Sequence, residues 1–334
     1  MYPIATHKMS SRILITQQIP DEGLALLRAA GDVSLESNPT PGAIWTAEEL
    51  RARLPGHDYL LCLLTDQIDA ALLEAGARGT PPLRLVANMA VGYNNIALEA
   101  ARRLGILVTN TPGVLTDATA DFTFALLLAV ARRIPEAERF TRAGRFTGWQ
   151  PLLFLGAELT GKTLGIVGMG RIGCAVARRA LGFGMSTLYT AHHPLPSEEE
   201  RALNASFASL EAVLRRADFV SLHVPYTPQT HHLLNAEMLG LLKPDAYLIN
   251  TARGPIVDEA ALVSALQAGQ LRGAALDVFE DEPRIHPALL QMEQVVLAPH
   301  IGSATYETRA LMATTAAANI LAHLRGETPP NPVA

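Results

Sequence analysis

The sequence is poor in cysteine. It has two in 334 residues, Cys62 and Cys174, each among apolar neighbours and neither in a CxxC pair. Two such thiols cannot build a disulfide framework or a zinc ribbon, so no metal is expected and a reducing, cytoplasmic setting is. Long apolar runs are missing too. The longest, Phe124 to Ala131, stops at Arg132 and Arg133, whereas a membrane span needs about 20 residues. No N-terminal stretch joins basic residues to an apolar segment, which argues against secretion. Residues 1–8 are expected to form a disordered extension. Charge of one sign is also absent. With 27 Lys and Arg against 32 Asp and Glu the net charge is −5, which offers no general attraction to nucleic acid or anionic lipid. The chain is 49% hydrophobic and 18% charged, which excludes disorder. At roughly 150 residues per domain its length suggests two domains.

Apolar runs alternate with amphipathic stretches. In the first part, strands are expected at 12–16, 59–63, 83–88 and 106–110. Helices are expected at 21–30, after Asp69 and around 96–103. Thr46 and Glu49 form a capping box that opens another short helix. A turn at Thr111-Pro112-Gly113 marks a boundary. A long helix over 117–133 is too apolar to lie on a surface. A second series places strands at 163–167, 186–190, 219–224, 246–250, 273–277 and 294–298. A last helix over 304–325 is expected to return to the first domain. Strand and helix alternation predicts an α/β fold: two doubly wound parallel-sheet domains, residues 1–110 with 304–334 and residues 111–303.

Gly168-Met169-Gly170-Arg171-Ile172-Gly173 is a GxGxxG placed between a strand and a helix. There Gly168 permits the tight turn, Gly170 admits a pyrophosphate to the backbone, and Gly173 lets helix and strand pack closely. An acid about 20 residues on would select NAD by binding the ribose 2′-hydroxyl. Residues 187–194 read Thr-Leu-Tyr-Thr-Ala-His-His-Pro, with no acid. Nothing there repels a 2′-phosphate, and His192 and His193 could donate hydrogen bonds to it. This favours NADP with NAD as the alternative; the histidines are otherwise two solvated side chains.

Ligands of open parallel sheets bind beyond the carboxyl ends of the strands. Arg253, Glu282 and His300 each follow a different strand there. Individually they read equally as a surface ion pair, an acidic loop and a turn residue. Together they suit reduction of a 2-oxo acid. A guanidinium fork grips the substrate, an imidazolium supplies the proton to the carbonyl oxygen, and a carboxylate behind the imidazole favours its charged form.

At these residues the chain resembles the D-isomer-specific 2-hydroxyacid dehydrogenases, most of all their glyoxylate/hydroxypyruvate reductase branch, over residues 12–330. The resemblance rests on 90–96 (AVGYNNI), 113–121 (GVLTDATAD), the glycine turn, 250–254 (NTARG), 276–283 (LDVFEDEP) and 299–304 (PHIGSA). It implies a Rossmann cofactor domain inserted into a flavodoxin-like substrate domain, a hinge between them, and a homodimer joined through the cofactor domains. It implies that Arg253 binds the 2-oxo acid, that Glu282 holds His300, the proton donor, and that Val91 and Gly92 take the substrate carboxylate on their N–H groups. Asp277 would lie by the nicotinamide carboxamide, Thr119, Thr251 and Gly302 would line the cofactor, and Arg171 and Ile172 would sit at the pyrophosphate. Trp149 occupies the place of a tryptophan that reaches the partner's site in the reductase branch; as an interface anchor it would touch no substrate. Formate dehydrogenases carry glutamine at the place of Glu282 and phosphite dehydrogenases lysine at that of Val91, so both activities are disfavoured. Mammalian-type reductases carry an arginine near His192, absent here. The rival expectations are an NAD(H)-sensing corepressor-like protein, disfavoured by the lack of long disordered flanks, and a dehydrogenase for another D-2-hydroxy acid.

Overall fold

Unbroken apolar strands belong in sheets covered on both faces, and Tyr59–Cys62 and Leu85–Asn88 are buried at every position. The computed structural model of the chain describes residues 10–333; the extension expected at residues 1–8 lies outside them. Two units emerge. One contains the described residues up to Leu115 and from Thr305 on, and the other is Thr116–Ala304. The first junction lies beyond residue 110 because Val114 and Leu115 pack on the first unit's core.

The first unit runs β1 (Ser11–Ile15), α1 (Asp21–Arg28), β2 (Val33–Ser37), α2 (Ala47–Arg53), β3 (Tyr59–Cys62), α3 (Ala70–Ala77), β4 (Leu85–Asn88), α4 (Leu98–Leu104) and β5 (Leu107–Thr109). Its strands are parallel in the order β2-β1-β3-β4-β5, the flavodoxin-like winding. The capping box holds: Glu49 N donates to Thr46 Oγ1 at 3.2 Å, and Thr46 N donates to Glu49 Oε2 at 2.8 Å. β2 is not foreseen in the sequence. It is an edge strand with no fully buried residue and no continuous apolar run.

The second unit runs α5 (Thr116–Ala131), α6 (Ile134–Arg142), β6 (Thr163–Val167), α7 (Arg171–Gly182), β7 (Ser186–Thr190), α8 (Ser197–Ala202), β8 (Ala205–Phe207), α9 (Leu210–Arg216), β9 (Phe219–Leu222), α10 (Ala236–Leu239), β10 (Tyr247–Asn250), α11 (Glu259–Gln267), β11 (Gly273–Leu276) and β12 (Val295–Leu297). Seven parallel strands lie in the order β12-β11-β10-β9-β6-β7-β8, a Rossmann winding extended by one strand. The sequence shows six of them; β8, three residues at the outer edge, carries too little pattern. α5 ends before the expected residue 133 because Arg133 turns into the left-handed region (φ 54°) and Pro135 starts α6. Leu127 of α5 and Val176 of α7 cover one sheet face over Ile166 and Ile249. Leu214 and Leu262 cover the other over Leu222 and Leu248.

α12 (Tyr306–Leu324) then returns to the first unit. It lies so close on α1 that a Cβ on Gly23 would stand 2.8 Å from that of Ala313. The tail follows: Pro332 bridges Thr109 antiparallel and Val333 N donates to Val108 O at 2.8 Å, which covers the open edge of β5.

Candidate active site

The glycine turn joins β6 to α7. Gly168 sits at φ +102°, and a Cβ there would lie 2.7 Å from the backbone of His223 and Val224. On Gly173 a Cβ would lie 2.3 Å from the carbonyl oxygen of Gly168, so its absence is what lets α7 start against the strand. Gly170 differs: the space above it is open. It precedes an α7 N-terminus with no side-chain cap and no acid in its first turn. Exposed Arg171 and half-buried Ile172 complete this turn. Open space, uncapped N–H groups and the positive end of a helix dipole are what a pyrophosphate requires.

Beyond β7, His192 and His193 are both exposed. The nearby Glu200 is engaged: it accepts from the Tyr189 hydroxyl at 2.8 Å, and that oxygen accepts from Leu195 N.

β10, β11 and β12 are neighbours in the sheet, so the loops after them converge. Arg253 follows β10. Its loop is shaped by buried Asn250, whose Nδ2 donates to Arg253 O at 2.9 Å and whose Oδ1 accepts from Ala252 N at 3.0 Å. Gly254 packs so tightly that a Cβ would overlap the backbone of Phe279. Burial lowers the Arg253 pKa, and the Glu282 carboxylate pulls it back up. Glu282 follows β11. Its Oε1 accepts from Phe279 N at 3.0 Å, and its Oε2 lies 2.9 Å from His300 Nδ1. Burial raises the Glu282 pKa, but the hydrogen bond and charge of His300, the Phe279 N–H and Arg253 outweigh it, and the carboxyl stays below its ordinary range. A carboxylate accepting from Nδ1 leaves Nε2 to face a substrate.

Asp277 is 1% exposed. Its two oxygens accept from Ile301 N and Gly302 N, both at 2.7 Å, and its carbonyl accepts from His300 N at 2.9 Å. Asp277 thus pins the His300 loop, a role the sequence does not suggest. A Cβ on Gly302 would lie 3.0 Å from Asp277 Oδ2 and 3.6 Å from Thr119 Cγ2. Thr123 joins the group, donating to Thr119 O at 2.8 Å with its hydroxyl 2.9 Å from that of Thr251. Thr119, Thr251, Asp277 and Gly302 are therefore neighbours. Thr123 is not foreseen in the sequence; its place one turn after Thr119 on α5 is the signal that could have found it.

In the first unit, Val91 and Gly92 are partly exposed in the loop after β4. Trp149, in the second, is 83% exposed.

The sequence pattern of the family "D-isomer specific 2-hydroxyacid dehydrogenase, NAD binding domain" matches residues 124–302, more than half of the chain. The chain belongs to the D-isomer-specific 2-hydroxyacid dehydrogenases. Family resemblance also runs the full length. The glyoxylate reductase of Thermococcus litoralis is 49% identical over 328 residues, 97% of this chain and 96% of that protein. A solved protein of Thermus thermophilus superposes with a TM-score of 0.89 at 48% identity, over 97% of this chain and 100% of that one. The NADPH-dependent glyoxylate/hydroxypyruvate reductase of Sinorhizobium meliloti, solved with NADP and malonate, gives 0.83 at 36% identity over 97% of each chain. This member of the dehydrogenase family is an oxidoreductase that uses a nicotinamide cofactor, and its Rossmann-wound unit is the NAD-binding domain.

Proposed function

We propose that the chain is a glyoxylate reductase that also accepts hydroxypyruvate, giving glycolate and D-glycerate, with NADPH preferred over NADH. The observation that carries this reading is the 2.9 Å His300–Glu282 pair on the sheet edge that also holds Arg253. Arg253 grips the 2-oxo acid with its planar fork and polarises the ketone. A nicotinamide held at the end of the glycine turn would supply the hydride. His300 gives its proton to the carbonyl oxygen as charge builds there, and Glu282 stabilises the imidazolium beforehand. The N–H groups of Val91 and Gly92 hold the substrate carboxylate.

The residues present suit the cofactor. Gly168, Gly170, Arg171, Ile172 and Gly173 would hold the pyrophosphate, supported by the open space over Gly170. Thr119, Thr251, Asp277 and Gly302 would line the nicotinamide end. His192 and His193 would face the ribose 2′-phosphate, supported by their exposure at the end of β7. The first unit acts as substrate domain and the second as cofactor domain. A homodimer, with Trp149 reaching toward the partner, is supported by exposed Ile134, Phe146, Trp149, Leu152 and Leu155 on one segment. A cytoplasmic setting is supported by two free cysteines.

Steady-state rates with glyoxylate and hydroxypyruvate, each with NADPH and with NADH, test the reading. NADPH-dependent turnover is expected. Nucleotide binding without turnover of any 2-oxo acid would replace the enzyme with the NAD(H)-sensing alternative.

A further inference from the structure

Three consecutive peptide groups after β4 have their carbonyls tied down. Ala90 O accepts from Thr111 N at 3.0 Å, Val91 O from Asn110 Nδ2 at 2.8 Å, and Gly92 O from Asn88 Nδ2 at 2.8 Å. All three peptides are trans, and in a trans peptide the N–H points opposite to its carbonyl. Anchoring Ala90 O therefore directs Val91 N–H away from Thr111, and anchoring Val91 O directs Gly92 N–H away from Asn110. Among the described residues neither N–H donates to a protein acceptor. Successive unused N–H groups of this kind are the material of an anion-binding concavity.

The anchors are themselves anchored. Asn88 ends β4 and is fully buried, and its Oδ1 faces the Cys62 thiol. Asn110 follows β5. Its N–H donates to Asn331 O at 3.2 Å, and its carbonyl accepts from Asn319 Nδ2 at 3.2 Å. Asn319 lies on α12 with no exposed surface, and its Oδ1 accepts from Asn331 N at 3.1 Å. Asn110 thus connects the returning helix and tail to the loop.

We propose that Asn110 and Asn88 are positioning residues that hold the two peptide groups flanking Gly92, and so set the direction of the Gly92 N–H for a substrate carboxylate, with Asn319 and Asn331 locking Asn110 in place. This rests on the reading of Val91 and Gly92 as the carboxylate cradle.

The cradle holds the carboxylate before and during reaction, so weakening it acts on binding more than on the chemical step. Asn110→Ala and Asn88→Ala should each raise KM for glyoxylate about three- to tenfold, the scale of one lost hydrogen bond. Turnover should stay within about twofold, and KM for NADPH should not move. Gly105→Ala is the stability control. It strains a left-handed helix end (φ 68°) at the sheet edge away from the cradle, and should lower Tm without moving KM. Gly92→Pro deletes one of the N–H groups and tests the underlying reading separately. Should Gly92→Pro raise KM for glyoxylate while both asparagine variants keep the parental value, the positioning role is wrong and the cradle stands. Should Gly92→Pro leave KM unchanged, the cradle itself is wrong. A KM rise in Gly105→Ala matching that of the asparagine variants would mean that general loosening is the cause, and would also overturn the proposal. If Asn110→Ala does not fold, Asn88→Ala decides alone, because it acts on the neighbouring carbonyl.

Discussion

His300 sits at φ +55°, a region that residues with side chains rarely adopt, at a cost of about 1 kcal/mol or more. It stays there because Asp277 receives the N–H groups of residues 300, 301 and 302. The imidazole's loop is thus held by a buried aspartate, and its Nδ1 lies against a second carboxylate, Glu282. His300→Ala should lower turnover by about 10²–10⁴-fold, the scale of a lost proton donor, with cofactor affinity retained in a fluorescence titration. Arg253→Lys should also be slow, because an ammonium cannot reproduce the planar fork. Glu282 makes a pH prediction. Its pKa is depressed in the folded state, so its contribution to stability is complete above the unfolded carboxylate range and is lost as pH falls through the lowered folded value. The Tm gap between the parent and Glu282→Gln should be full at neutral pH and close as pH drops below about 4. A gap independent of pH would show that Glu282 is not ionised beside His300.

The two glycines at α7 look alike in the sequence and differ in the fold. A Cβ on Gly173 meets a backbone oxygen at 2.3 Å that cannot move without shifting β6. A Cβ on Gly170 meets nothing. Gly173→Ala should therefore lower Tm and cofactor affinity together. Gly170→Ala should keep Tm and weaken only the cofactor, by about tenfold or more if the pyrophosphate approaches this backbone. Differential scanning calorimetry with a nucleotide titration checks both. The same contrast of buried and open explains which elements are legible in advance. β6 and β7 appear at their foreseen residues because apolar runs in covered parallel strands leave little ambiguity. β2, β8 and α6 are not foreseen. The first two lie at sheet edges, and α6 buries none of its residues, so the core imposed no strong pattern on them.

In the whole molecule, the segment from Ile134 to Leu155 carries large exposed apolar side chains, including Trp149 at 83% and Leu152 at 78%. Scattered apolar residues are ordinary on a surface, but a cluster marks an interface. Sedimentation should find a dimer, and Leu152→Glu should shift it toward monomer. A monomeric parent would remove the dimer and, with it, any reach of Trp149 into a partner. For the cofactor, His192→Ala with His193→Ala should raise KM for NADPH and leave that for NADH unchanged. Equal loss for both would show that the pair does not read the 2′-phosphate.

By itself the sequence determined the two α/β units, the glycine turn and the placement of Arg253, Glu282 and His300 beyond the ends of neighbouring strands, because each depends on a local pattern: an apolar strand, then a residue past its end. It could not show that Asp277 pins the His300 loop, or that Asn110 is held by Asn319 and Asn331 from the far end of the chain. Those side chains bond to backbone groups of remote loops, and a backbone N–H or carbonyl leaves no mark in the identity of its residue. Only the tertiary structure decided which polar side chain meets which peptide group within each unit.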